Sequence, residues 1–215
     1  MNDGLKYTLI ALLLLAIPRF GWANICDEAA QTAASRTGVP INVLKAITRT
    51  ETATTKFGQW APWPWTVNVA GKGAWFLDRD MAFSHASAAL RQGKTSFDVG
   101  CFQLNYRWHS SGFSSLSDMF DPTKNAQYAA EFLKSLRGEF GSWTAAAGAY
   151  HSRNEKFASK YRRRYSQIYA KLPQPNARVT VVEPKPTTRP TPKIRRLGSL
   201  VALNTLPKIN GVLGQ

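Results

Sequence analysis

The chain has 215 residues, 44% of them hydrophobic and 12% aromatic, with seven Trp; one sizeable core plus extensions can be built from this, and a wholly disordered chain is excluded. Lys and Arg number 28 against 13 Asp and Glu, a net charge of +15, which favours negatively charged partners: nucleic acid, anionic lipid or an anionic glycan. Two Cys are too few for a disulfide-scaffold miniprotein and, with three His, argue against a multi-zinc protein.

The first segment reads as a secretory signal peptide. Lys6 precedes an uncharged run from Thr8 to Ile17, ten residues long, and Gly21-Trp22-Ala23 offers small residues for a cut after Ala23. Ten residues are too few to cross roughly 30 Å of hydrocarbon as a helix. An uncleaved anchor is the alternative; both place the remainder outside the cytoplasm, with the periplasm the expected location and no stable membrane insertion after cleavage. Cys26 and Cys101 then meet an oxidising compartment, where one bridge between them can form.

Residues 24–172 read as one mostly α domain. Residues 25–36 put Ile25, Ala29 and Ala33 on one face, and Pro40 opens a second helix carrying Val43, Leu44 and Ile47. After Thr55 the periodicity collapses into a long Gly-, Pro- and Trp-rich insertion, with a brief strand-like alternation at Trp65 to Val69. Helical spacing returns over 79–92. Pro122 introduces a helix over 123–138, with Ala126, Ala129, Ala130, Leu133 and Leu136 as its buried stripe and Gly138 as its stop. An Ala-rich helix from Trp143 to Tyr150 and a basic helix over 155–171 complete the domain.

From Pro173 to the end, residues 173–215 form a Pro-rich basic tail, with seven Lys and Arg against the single acid Glu183. It is expected to be extended and disordered. A docking role is the alternative, supported by apolar anchors between Leu197 and Leu213. The domain itself carries 19 basic and 11 acidic residues, so the positive charge is not confined to the tail.

Glu51 stands out chemically. It ends the apolar helix 41–51, beside a Trp-rich loop. The negative end of a helix and an apolar setting both disfavour the carboxylate form and raise its pKa towards values useful for a general acid. A solvated Glu at a helix end is the plain alternative.

Four segments then resemble one family. Val39 to Glu51 looks like the catalytic helix of the lytic transglycosylases with a lysozyme-like, soluble lytic transglycosylase (SLT) domain. Asp98-Val-Gly-Cys-Phe-Gln-Leu-Asn105 resembles the family's Gly-x-x-Gln-x-Asn signature. Asp121-Pro122, Asn125, Ala129-Ala130, Leu133 and Gly141 resemble its third segment, and Ala147-Gly-Ala-Tyr150-His151 its final one, with His151 where Asn is common. The resemblance spans about 25–172. The interval from Glu51 to Gln103 is longer than usual, as in a proteobacterial subgroup associated with flagellar or secretion machinery.

The resemblance implies a mostly α, lysozyme-like (goose-type or SLT) fold with a Trp-rich insertion, acting on peptidoglycan glycan strands. It implies that Glu51 protonates the bond between N-acetylmuramic acid and N-acetylglucosamine, then serves as base for the muramoyl 6-hydroxyl. Gln103 and Asn105 would line the sugar cleft, Tyr150 would hydrogen-bond near Glu51, and Asn68 would help to hold an N-acetyl group, unless Asn68 is only a turn former. No cofactor or metal is expected. A flagellar or secretion-system protein is a candidate partner of the tail.

Carboxylate spacing gives an independent expectation. A glycosidase with two carboxylates holds them about 5–5.5 Å apart when retaining and about 6.5–9.5 Å apart when inverting. Asp78, Asp80 and Asp98 are the candidates, none in a motif that places it at the cleft, and Asp98 reads as a cap or turn residue before Gly100. Glu51 alone would then borrow its nucleophile from the substrate. Trp60, Trp63, Trp65 and Trp75 are either sugar platforms or core. A hydrolytic lysozyme and a non-catalytic peptidoglycan-binding scaffold are the rival readings; no nucleic-acid-binding motif is present.

Overall fold

The computed structural model describes residues 23–173. The segments read as signal peptide and as Pro-rich tail lie outside the described residues, apart from Ala23 and Pro173.

Two helices open the domain, α1 (Ala23–Thr37) and α2 (Ile41–Thr52). A hairpin of β1 (Thr66–Val69) and β2 (Lys72–Trp75) follows, then α3 (Arg79–Arg91), β3 (Phe97–Val99) and β4 (Leu104–Asn105). Short helices α4 (Tyr106–His109) and α5 (Leu116–Met119) lead to α6 (Pro122–Phe140), α7 (Trp143–His151) and α8 (Glu155–Lys171). None of the helices among the described residues is long and apolar enough to cross a membrane.

The helix ends follow local chemistry. Asp121 accepts the amide hydrogen of Lys124 at 2.9 Å while Pro122 takes the first helical position, where its missing N–H costs nothing. Ser142, Asn154 and Asp78 cap α7, α8 and α3 in the same way. The expected stop at Gly138 is corrected: α6 runs through it to Phe140 and ends at Gly141, whose φ of 79° is the left-handed conformation that favours glycine.

Small residues set the packing of the long helices. Ala29, Ala30 and Ala33 of α1 and Ala126, Ala129 and Ala130 of α6 are all buried, and the two helices pack together. Helix α2 lies between α1 and α8, burying Val43, Leu44, Ala46 and Ile47, while α7 bridges α6 and α8. A bidentate ion pair of Arg49 with Asp27 (2.7 and 2.8 Å) ties α2 to α1. Cys26 of α1 is disulfide-bonded to Cys101 in the β3–β4 turn, fixing the sheet to the helical layer.

The insertion is more ordered than its composition implies. Its strands belong to a four-stranded antiparallel sheet in the order β2-β1-β3-β4. Thr52, the last residue of α2, anchors the loop that precedes the sheet. Its hydroxyl accepts the Trp63 amide hydrogen at 3.2 Å and its carbonyl accepts the Trp75 indole hydrogen at 3.1 Å. Trp63 and Trp65 are core, each about nineteen-twentieths buried, whereas Trp60 is half-exposed.

Candidate active site

Where the end of α2 faces the sheet, a cavity of about 450 Å³ opens, within the usual range for small-ligand sites. Glu51 is the penultimate residue of α2 and lines this cavity. Thr66, Asn68, Gly73 and Trp75 come from the β1–β2 hairpin, and Asp98, Gln103, Leu104 and Asn105 from β3, β4 and their turn. Trp108 and His109 of α4 and Tyr150 and His151 of α7 complete the wall.

Strand alternation builds the sheet side. Phe97 and Val99 are fully buried, so Asp98 between them points to the opposite face, into the cavity. Across the register, Asn68 pairs with Asp98, and Asp98 with Asn105. Three polar side chains therefore stand side by side on adjacent strands. Asp98 Oδ2 accepts from Asn68 Nδ2 at 3.0 Å and Asp98 Oδ1 accepts from Asn105 Nδ2 at 2.7 Å. Asn105 Oδ1 in turn accepts the Arg107 amide hydrogen and starts α4.

The expectation that Asp98 is a cap or turn residue before Gly100 is corrected: it is a strand residue that lines the same cavity as Glu51. Asp78 is the residue that caps a helix, and Asp80 is exposed.

The β3–β4 turn is held rigidly. Gly100 has a φ of 80°, and a Cβ there would lie 2.8 Å from Asn125 Nδ2. Asn125 is fully buried; it accepts from the Phe102 amide and donates to the carbonyls of Val99 and Met119. Gln103 also has a positive φ, 47°, a conformation costing about 1–3 kcal/mol. Its Nε2 offsets this by donating to the carbonyls of Thr66 (3.1 Å) and Gly100 (3.0 Å). Gln103 thus lines the cavity and clamps the turn.

Glu51 has a hydrogen-bond partner that the sequence reading did not single out. Tyr161 of α8 donates its hydroxyl hydrogen to Glu51 Oε1 at 2.6 Å. Tyr150 lines the cavity but donates to the Phe102 carbonyl at 2.7 Å. Tyr161 is buried, and its ring stacks on His151, centroids 4.7 Å apart and planes 12° apart. The spacing of α8 shows Tyr161 only as a member of the apolar stripe.

Burial is the main reason that the Glu51 carboxyl is pushed up to about 7. The Tyr161 hydrogen bond and Arg164 pull it down, and the Asp98 charge raises it further. Burial also raises Asp98, against the lowering effect of its two amide hydrogen bonds. Both tyrosines are held well above the ordinary phenol value by burial and the neighbouring Glu51, so they stay protonated donors. At neutral pH Glu51 is therefore divided between its acid and carboxylate forms, a state in which a group can both give and take a proton.

Trp75 keeps its ring at the cavity while its indole N–H is used on Thr52. Trp108 is 72% exposed although it lines the cavity. A large aromatic surface left in water at the mouth of a polar groove suits stacking on sugar rings. The sequence reading missed Trp108; an exposed aromatic shortly after the β4 end is its only local signal. Among the described residues there is no group of three or more His, Cys, Asp or Glu that could hold a metal ion.

Residues 76–172 match the model of the family described as Transglycosylase SLT domain. The match opens at Phe76. It takes in Asp98, Gln103, Asn105, Tyr150 and Tyr161 but not Glu51, so the place of Glu51 at the site comes from the geometry. No curated protein and no solved structure matches the chain. The mostly helical architecture with its small sheet agrees with the lysozyme-like fold of SLT domains. That family consists of peptidoglycan lytic transglycosylases, and the match indicates a peptidoglycan-acting enzyme.

Proposed function

We propose that the chain cleaves the bond between N-acetylmuramic acid and N-acetylglucosamine in peptidoglycan and leaves a 1,6-anhydromuramoyl end. The observation that carries this is the Glu51 carboxyl, buried against Tyr161 and poised near neutrality at the wall of a groove. The protonated carboxyl gives its hydrogen to the glycosidic oxygen as the bond to C1 breaks. The resulting carboxylate then takes the proton of the muramoyl 6-hydroxyl while that oxygen bonds to C1. No water is consumed, and Glu51 ends protonated.

Gln103, Asn105 and Asn68 line the sugar groove in this reading, with Asn68 facing an N-acetyl group and Tyr161 aligning the Glu51 carboxyl. The domain runs over 24–172, behind a signal peptide over 1–23, and works in the periplasm; the disulfide fits an oxidising compartment. Its positive charge suits the muramoyl carboxylates and acidic stem peptides of the wall. Tail 173–215 recruits the enzyme to an envelope machine of the flagellar or secretion type.

Glu51→Gln should abolish release of soluble fragments from purified sacculi while leaving fold and glycan binding intact. Undiminished release by that variant would mean that another group cleaves the glycan, and no release even by the wild type would favour the scaffold reading.

A second reading has one observation in its favour. The Asp98 carboxyl shares the cavity with Glu51, as the second acid of a hydrolytic lysozyme would. Each of its oxygens, however, already accepts an amide hydrogen. Those bonds hold its carboxyl between the two flanking strands, and the lyase reading is preferred.

A further inference from the structure

Given the enzymatic reading above, on which this inference rests, we propose that Asp98 is a positioning residue. It fixes which atom of Asn68 meets the substrate. An ionised carboxylate only accepts hydrogen bonds, whereas an amide has a donating and an accepting end. With Asp98 between them in register, Asn68 and Asn105 must both turn Nδ2 towards it, and both do.

The two amides differ in what their other end does. Asn105 Oδ1 accepts from the Arg107 amide and so holds the start of α4, which carries Trp108 and His109 at the cavity. Asn68 Oδ1 is buried and accepts no hydrogen bond within the protein, although its residue lines the cavity. A buried acceptor left empty is destabilising, so this oxygen is set for a donor brought by the ligand, an N–H or O–H of the bound sugar. Glu51 performs the chemistry; Asp98 gives Asn68 its polarity and touches no reacting atom.

The test is a swap. Asp98→Asn is nearly isosteric but sets an NH₂ group against that of Asn68. Turning Asn105 instead would break the cap of α4, so Asn68 turns and offers the sugar a donor. We expect kcat/KM on purified sacculi to fall about ten- to a hundredfold, with part of the loss in KM. Asn68→Asp alone places two carboxylates face to face and loses a similar amount. The double variant Asp98→Asn, Asn68→Asp restores complementarity on both sides. The amide introduced on β3 accepts from Asn105 and donates to the carboxylate introduced on β1, which keeps an oxygen towards the sugar. This double variant should regain most of the activity and of the melting temperature.

The same cycle in a Glu51→Gln background, read as affinity for a soluble N-acetylated peptidoglycan glycan chain, separates the two claims. Rescue of binding without any Glu51-dependent cleavage would retain the role of Asp98 and defeat the enzyme reading. Asp98→Asn within about twofold of wild type, or a double variant no better than the worse single one, would defeat the role of Asp98.

Discussion

The hydroxyl of Tyr161 reaches the carboxyl of Glu51 at 2.6 Å across 110 positions of sequence. This contact joins α8 to the end of α2, and it lowers the Glu51 pKa against the larger effect of burial. Removing it should therefore strengthen the acid form. If the acid form starts the reaction, activity declines above pH 7 as Glu51 ionises. Tyr161→Phe should shift this alkaline limb to higher pH, and Asp98→Asn, which removes a charge that raises Glu51, should shift it to lower pH. Initial rates on sacculi between about pH 5 and 9 check both directions.

Glu51 also bears on stability. Its pKa in the fold, about 7, lies above its ordinary 4.5. A carboxyl raised in this way adds stability that is present below 4.5 and is lost as the pH rises through 7. Glu51→Gln should consequently stabilise the protein at about pH 8, on the order of 2 kcal/mol, and change little at about pH 4. Denaturant unfolding of both proteins at the two pH values measures the difference.

The Cys26–Cys101 bond closes a loop across a sequence separation of 75. Cross-linking so long a loop contributes about 4–5 kcal/mol, in the chain-entropy account, by restricting the unfolded chain. Replacing both Cys by Ala should lower the melting temperature by roughly 10 °C. Calorimetry with and without reductant gives the comparison, and reductant should not affect the double variant.

Gly100 is a position where a side chain has no room. Its φ of 80° and the 2.8 Å approach to Asn125 predict a loss of about 2–4 kcal/mol for Gly100→Ala. The turn it displaces carries Gln103, so activity should fall along with the melting temperature.

Trp108 should behave in the opposite way. At 72% exposure it contributes little to the core. Trp108→Ala should leave the melting temperature nearly unchanged and raise KM for glycan about three- to tenfold. Kinetics beside a thermal melt separate the two effects.

The long helices are legible in the sequence because each carries a spaced apolar stripe and a capping residue. Ala126 to Leu136, with Asp121-Pro122 ahead of them, illustrate both. Helix α6 overruns its expected stop because Gly138 fits the α conformation and Gly141 supplies the left-handed residue. The sheet is nearly invisible, since strands of two to four residues leave no measurable period among Gly, Pro and Trp.

The place of Glu51 at the cavity can be anticipated from its position at a helix end and from the resemblance of residues 39–51 to a catalytic helix. Tyr161 cannot, because its position within an apolar stripe does not reveal where its hydroxyl goes. Asp98 escapes for another reason. The Asp-Val-Gly order suggests a turn, yet the alternation of Phe97, Asp98 and Val99 already places the carboxyl opposite the core. Its role follows from strand register with Asn68 and Asn105, a long-range relation that no local pattern encodes.

The most direct measurement is the mass of the muropeptides released from purified sacculi by the wild type, with Glu51→Gln alongside. Ends lighter by one water than the reducing form, absent from the variant digest, are the predicted result. Reducing muramic acid ends of full mass would contradict it and identify water as the attacking group.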